Sequence, residues 1–137
     1  MASKGRPYRR ILVEGFEVLI GRSASDNDAL TFRVGKPYDH WLHVAGGTPG
    51  SHVIIKNPER LPLPKSVIER AASFAAWYSK ARAGGSVEVH HCKVSDVRKP
   101  RGAPAGLVLL ERYSRVRVRP AAPEGAGDEA DPDEEAG

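Results

Sequence analysis

FEVLIGRSASDNDALTFRVGKPYDHWLHVAGGTPGSHVIIKNP, residues 16–58, packs an apolar strand, a polar helical segment, a second strand and a Gly/Pro loop into one short span. Val18, Leu19 and Ile20 favour extended backbone and Gly21 stops them, which predicts a strand at about 16–20. Ser23-Ala24-Ser25-Asp26-Asn27-Asp28 offers several helix caps, and Asp26 and Asp28 suit the positive end of a helix. Ala29, Leu30, Phe32 and Arg33 continue the pattern, so a short helix is expected over about 24–34. Gly35-Lys36-Pro37-Tyr38 reads as a turn. From Asp39 to Val44 the residues alternate, with Trp41 and His43 on one face and His40, Leu42 and Val44 on the other. Ala45-Gly46-Gly47-Thr48-Pro49-Gly50 is a loop whose glycines admit positive φ and close approach to a ligand. Ser51 to Lys56 is a third strand, and Asn57-Pro58 ends it.

Beyond this span, Leu61-Pro62-Leu63-Pro64 is a stiff extended approach to a helix. Ser66-Val67-Ile68-Glu69 has the pattern of a capping box, with Ser66 as N-cap and Glu69 reaching back. Val67, Ala71, Phe74, Ala75 and Tyr78 recur at three and four, which predicts an Ala-rich helix running to about Arg82 before Gly84-Gly85. Ser86 to Val94 alternates as a strand, with Val87, Val89 and His91 on one face and Glu88, His90 and Cys92 on the other. Leu107–Leu110 and Arg115–Arg119 suggest a closing hairpin turned around Glu111–Ser114. The expected fold class is α+β: a mostly antiparallel sheet with one Ala-rich helix and one short helix packed on it.

The chain has 137 residues and a net charge of +4. That average hides a split. Seven of the 17 acids lie between Ala121 and Gly137, a segment without Lys or Arg, so residues 1–120 carry ten acids against 21 basic residues, a net +11. A body this basic is an electrostatic footprint for a polyanion, most often nucleic acid. Three regions are expected: a basic flexible arm over 1–10, a folded body over 11–120 and an acidic disordered tail over 121–137. One cysteine, Cys92, excludes an intramolecular disulfide framework. No apolar run reaches the roughly 20 residues of a membrane helix, and the N-terminus lacks the apolar core of a signal peptide. The expectation is a soluble cytoplasmic protein without a cofactor.

Three constellations bear on chemistry. Asp39, His43 and His52 sit on neighbouring predicted strands, where a carboxylate can orient a histidine base for RNA hydrolysis. Histidines that stack and hydrogen-bond in a binding groove are the alternative, and the spacing matches no zinc signature. His90, His91 and Cys92 alternate across a strand and so do not form one site. Arg98-Lys99-Pro100-Arg101-Gly102 sets three cations on a loop with no acid between Asp96 and Glu111, the makings of a phosphate clamp. Tyr38 and Trp41 are candidates to stack unpaired bases. A basic face meeting an acidic protein surface is a third reading.

Gly21-Arg22, Asn27 with Leu30, Asp39-His40-Trp41-Leu42-His43 and Pro49-Gly50-Ser51-His52-Val53-Ile54-Ile55-Lys56 resemble the NFACT-R domain. That domain is the RNA-binding module of the fibronectin-binding-protein-like and ribosome quality control proteins. Pro62 and Pro64 before the Ala-rich helix, Val94 to Val97, and Arg98-Lys99-Pro100-Arg101-Gly102-Ala103 with Gly106 follow the same pattern in the same order. The likeness covers about residues 12–120. It implies a compact α+β fold and non-catalytic binding of RNA, rRNA or tRNA, with the large ribosomal subunit as a partner. The large members add a helix-hairpin-helix region and a coiled coil. Only about ten residues precede the match here, so a stand-alone module is expected. Carried over by position, Arg22, Asn27, Lys36, Asp39, Trp41, His43, Ser51, His52 and Lys56 form the recognition groove. Arg98, Lys99 and Arg101 form the adjacent clamp.

Overall fold

A computed structural model describes residues 6–123. Six strands form one sheet: β1 (Tyr8–Val13), β2 (Phe16–Gly21), β3 (His40–Val44), β4 (Val53–Ile55), β5 (Val87–Lys93) and β8 (Ser114–Val118). Their order is β1-β2-β4-β3-β5-β8, and every pairing is antiparallel. Two short strands, β6 (Val97–Arg98) and β7 (Leu109–Leu110), pair in a separate ribbon. The α+β class with a mostly antiparallel sheet is therefore observed.

The helix α2 (Lys65–Trp77) covers one face of the sheet. Val67, Ala71, Phe74 and Ala75 are fully buried against Val18, Ile20, Leu42, Val53 and Val89. Burying a side chain such as Phe74 stabilises the fold by about 1.5–3 kcal/mol. On the opposite face Leu19, Trp41, Ile54 and Cys92 pack with Leu30 and Val97. This second layer is the short helix α1 (Ala24–Ala29), the π-helical turn Leu30–Val34 that continues it, and the β6–β7 ribbon. Ser23 caps α1 by accepting the Asp26 N–H at 3.1 Å. Among the described residues no helix is long and apolar enough to cross a membrane.

Four expectations are corrected. The basic arm ends sooner than residue 10, because Tyr8–Arg10 open strand β1. Glu14 (φ 50) and Gly15 (φ 88) make the two-residue turn into β2, both at positive φ as a hairpin of this hand demands. Arg10 is matched there by Glu17 at 2.5 Å. Residues 1–5 and the acidic segment 124–137 lie outside the described residues. The expected C-terminal hairpin does not form, since β7 pairs with β6 and β8 pairs with β5.

The helix α2 also differs at both ends. It starts at Lys65 with no side-chain cap, and Ser66 Oγ donates instead to Glu14 Oε2 at 2.7 Å, pinning the helix to the β1–β2 turn. Replacing Ser66 with alanine is therefore expected to lower stability by less than about 0.5 kcal/mol, against about 1 for loss of a true cap, as read from the urea midpoint. The helix stops at Trp77 rather than Arg82, because residues 78–80 turn to pair with 49–51.

Candidate functional site

Beside the end of α2 a cleft of about 900 Å³ opens at one end of the sheet. Its walls are the start of α1, the loop from β3 to β4, the residues after α2, and residues 105–110 with Tyr113. The β3–β4 loop reaches over this space because Gly46 and Gly47 hold φ of 78° and 73°, which other residues rarely adopt. Its far end is stitched down. The Ser51 N–H donates to the Tyr78 carbonyl at 3.0 Å and the Lys80 N–H to the Pro49 carbonyl at 2.9 Å. Gly50 has no room for a side chain, since a Cβ would meet Ser79 Cβ at 2.7 Å.

Asn27 and Ser51 hold the same loop from the other side. Asn27 Nδ2 donates to the Gly50 carbonyl at 3.1 Å, and its Oδ1 accepts the His52 N–H at 3.0 Å. Ser51 Oγ donates to the Gly21 carbonyl at 2.7 Å. Both side chains line or adjoin the cleft, yet their polar atoms build its wall.

The floor is Trp41, His52 and His43. Trp41 and His52 are each 1% exposed, so Trp41 belongs to the core. Their polar atoms form one directed chain. The Gly106 carbonyl can only accept, so His52 Nε2 donates to it at 3.2 Å. Nδ1 then accepts from the Thr31 hydroxyl at 2.8 Å, which in turn accepts the Trp41 indole N–H at 3.2 Å. Burial first, then the nearby His43, pull the His52 pKa down to about 3. A ring with both nitrogens engaged and little affinity for a proton is a poor general base. His43 meets His52 edge-on at 5.3 Å and is only half-buried, so its ring is presented to the cleft. Burial lowers its pKa as well.

Asp39 does not complete a carboxylate–histidine pair. It is fully buried and accepts the Lys36 N–H at 2.9 Å, the Asn57 N–H at 2.7 Å and the Lys56 ammonium. Lys56 also donates to the Val34 carbonyl at 3.2 Å, which the π-helical turn leaves available. Neither Asp39 nor Lys56 lines the cleft, and the exposed Lys36 does not either. Burial and then Asp96 push the Cys92 thiol up to about 12, which leaves it inert as a nucleophile. Among the described residues no group of three or more His, Cys, Asp and Glu is placed to hold a metal ion.

The loop read as a phosphate clamp meets acids from elsewhere in the chain. Arg98 pairs with Glu111. Lys99 lies 3.0 Å from Asp28 and donates to the Pro104 and Leu107 carbonyls at 2.6 and 3.0 Å, so it ties its own loop to α1. Arg101 is exposed at the turn. The cations that line the cleft are Arg22, Lys80 and Arg82, and no carboxylate lines it among the described residues. The Arg82 guanidinium lies over the Trp77 ring at 4.5 Å. Of the groove residues expected from sequence, Arg22, Asn27, Trp41, His43, Ser51 and His52 come together here. Trp77, Lys80, Arg82, His90 and Tyr113 were not foreseen. Lys80 and Arg82 lie where periodicity predicts the last turn of a helix, and Tyr113 where it predicts a hairpin turn.

The family model described as NFACT protein RNA binding domain matches residues 8–111. The chain is 37% identical over 122 residues to the Rqc2 homolog RqcH of Bacillus subtilis (strain 168), covering 85% of this chain and 21% of that protein. It is 34% identical over 116 residues to the Rqc2 homolog RqcH of Streptococcus suis (strain 05ZYH33), covering 84% and 20%. The chain thus spans about a fifth of the length of these curated relatives. The solved structure of the C-terminal part of the fibronectin/fibrinogen-binding protein from Streptococcus suis superposes with a TM-score of 0.78 at 33% identity, over 85% of this chain and 46% of that one.

Proposed function

Because the chain belongs to the family of the NFACT protein RNA binding domain, we propose that it binds RNA in the cleft beside the end of α2. The observation that carries this reading is the lining: Arg22, Lys80 and Arg82 with no carboxylate among the described residues, above a floor of uncharged rings. Guanidinium and ammonium groups take phosphate oxygens, and the half-buried His43 ring, set on the buried Trp41 and His52, meets a base. The +11 body supplies the long-range attraction. The RNA is structured, rRNA or tRNA, met in the cytoplasm on the large ribosomal subunit. Asn27, Ser51, His52 and Asp39 serve as scaffold. The chain acts as a binding module: of Asp39, His43 and His52, the groups a hydrolysis would use, Asp39 is engaged by Lys56 and His52 by Thr31 and Gly106, and no carboxylate among the described residues lines the cleft beside His43.

Fluorescence anisotropy with labelled tRNA and rRNA fragments between about 50 and about 200 mM salt tests the reading. The log–log slope should be about −0.7 to −0.9 per phosphate neutralised. The double variant Lys80→Glu/Arg82→Glu should weaken binding and flatten that slope by roughly the two lost contacts. An affinity indifferent to salt, or to the double variant, would overturn it.

A further inference from the structure

The cleft floor continues across the sheet as a row of planar side chains. In the strand register His43 of β3 stands opposite His90 of β5, and His90 stands opposite Arg115 of β8. Residues opposite one another across antiparallel strands project from the same face about 5 Å apart. The Tyr113 ring lies 4.1 Å from the His90 ring, tilted by 31° to it. Tyr113 is 43% exposed, so this aromatic surface is available to a partner. The Arg115 guanidinium sits 5.8 Å from the centre of the Tyr113 ring. The row thus leads from the buried Trp41 and His52, through His43, to His90 and Tyr113 at the opening.

Charge along this row is arranged by one carboxylate. Glu88 lies 3.3 Å from Arg115, 3.7 Å from Arg117 and 3.6 Å from His90. Two guanidiniums share one acid, which leaves positive charge beside the rings. His43 and His90 both have pKa values lowered, in each case mainly by burial. At neutral pH each offers a flat uncharged ring, suited to a base and not to a phosphate.

We propose that the His90–Tyr113 ring pair is a seat for an unpaired base, so that the cleft selects single-stranded or bulged nucleotides over duplex RNA. The proposal rests on the cleft being the RNA site and names the form of RNA it takes. A base paired within an A-form helix keeps both faces covered by its neighbours, whereas a splayed base offers a face to Tyr113. A volume of about 900 Å³ lies within the range of small-ligand pockets and does not admit a duplex. With the base on Tyr113, a flanking phosphate is within reach of Arg115, whose guanidinium lies 5.8 Å from the ring centre.

The test uses the full chain and three RNAs of equal length: an unstructured strand, a blunt-ended perfect duplex, and the same duplex with one bulged nucleotide. The strand and the bulged duplex should bind about tenfold more tightly than the perfect duplex, the advantage one base–aromatic stack confers. Tyr113→Leu should erase that preference, bringing the affinity for the strand and the bulged RNA down to that for the duplex. Tyr113→Trp should restore it. Equal affinity for all three RNAs, or a preference untouched in Tyr113→Leu, overturns the seat. If Lys80→Glu/Arg82→Glu still weakens binding in that case, the cleft stands as the RNA site. Failure of every RNA to bind overturns both readings.

Discussion

Replacing Asp39 with alanine lowers the unfolding free energy by about 3–5 kcal/mol, the cost of removing one partner of a buried ion pair. Asp39 is fully buried, and three donors converge on its two oxygens: the Lys36 N–H, the Asn57 N–H and the Lys56 ammonium. Without the carboxylate, Lys56 keeps only the Val34 carbonyl for its charge, and two backbone N–H groups lose their acceptor. Each such orphan costs about 1–3 kcal/mol when water cannot reach it. The double variant Asp39→Ala/Lys56→Met should recover part of the loss, because both charges leave together. Urea midpoints of the two variants and the wild type decide the matter. A single variant within about 1 kcal/mol of wild type would show that water reaches and satisfies this site. Where the variant still folds, its RNA affinity should match wild type, since neither residue lines the cleft.

Acidification from about pH 7 to about pH 5 removes about 2 kcal/mol of stability through His52 alone. The sign follows from the direction of the shift. His52 drops from an ordinary 6.5 to about 3 in the folded chain, so the unfolded chain takes up the proton first. Its stabilising contribution is complete above about pH 6.5 and declines as the pH falls towards 3. The groups facing it do not cancel this. His43 opposes the charged form, and Asp28 and the Gly106 carbonyl favour it too weakly to offset burial. His40 adds in the same direction, lowered to about 4 by burial and then by His91, whose ring stacks on it at 5.0 Å. Denaturant midpoints at the two pH values should show the loss, and His52→Asn should have a flatter profile. An equal slope in that variant would assign the acid sensitivity elsewhere.

The elements that sequence periodicity exposes are those whose burial is decided locally. Val67, Ala71, Phe74 and Ala75 recur at helical spacing because one stripe of α2 faces the sheet. Trp41 and His43 alternate with Leu42 and Val44 because β3 is covered on both faces by different layers. The helix expected over 24–34 spans the right residues, although its second half is π-helical, with the Gly35 N–H bonded to the Leu30 carbonyl at 2.8 Å. The strand β1 was hidden, since Arg9 and Arg10 look like a solvated arm. At a sheet edge, charged side chains are tolerated and discourage pairing with another chain.

The site was legible as a neighbourhood and not as a set of roles. Arg22, Asn27, His43, Ser51 and His52 converge as their motifs suggest, but which of them faces a ligand depends on contacts far along the chain. His52 is withdrawn by Thr31 and by Gly106, 54 residues away. Lys99 looked free because the acid that meets it, Asp28, is distant in sequence.

By itself, then, the sequence determined the α+β class, the Ala-rich helix, the alternating strands and the basic character of the body. These depend on residue type and on periods of two and 3.6, which are local properties. Tertiary structure alone decided the strand order β1-β2-β4-β3-β5-β8, the early end of α2, and the separation of β7 from β8. It also decided which cations remain to line the cleft. The physical reason is common to all of these: hydrogen bonds and ion pairs are satisfied between whichever groups the chain brings together, and that meeting is not written in any one segment.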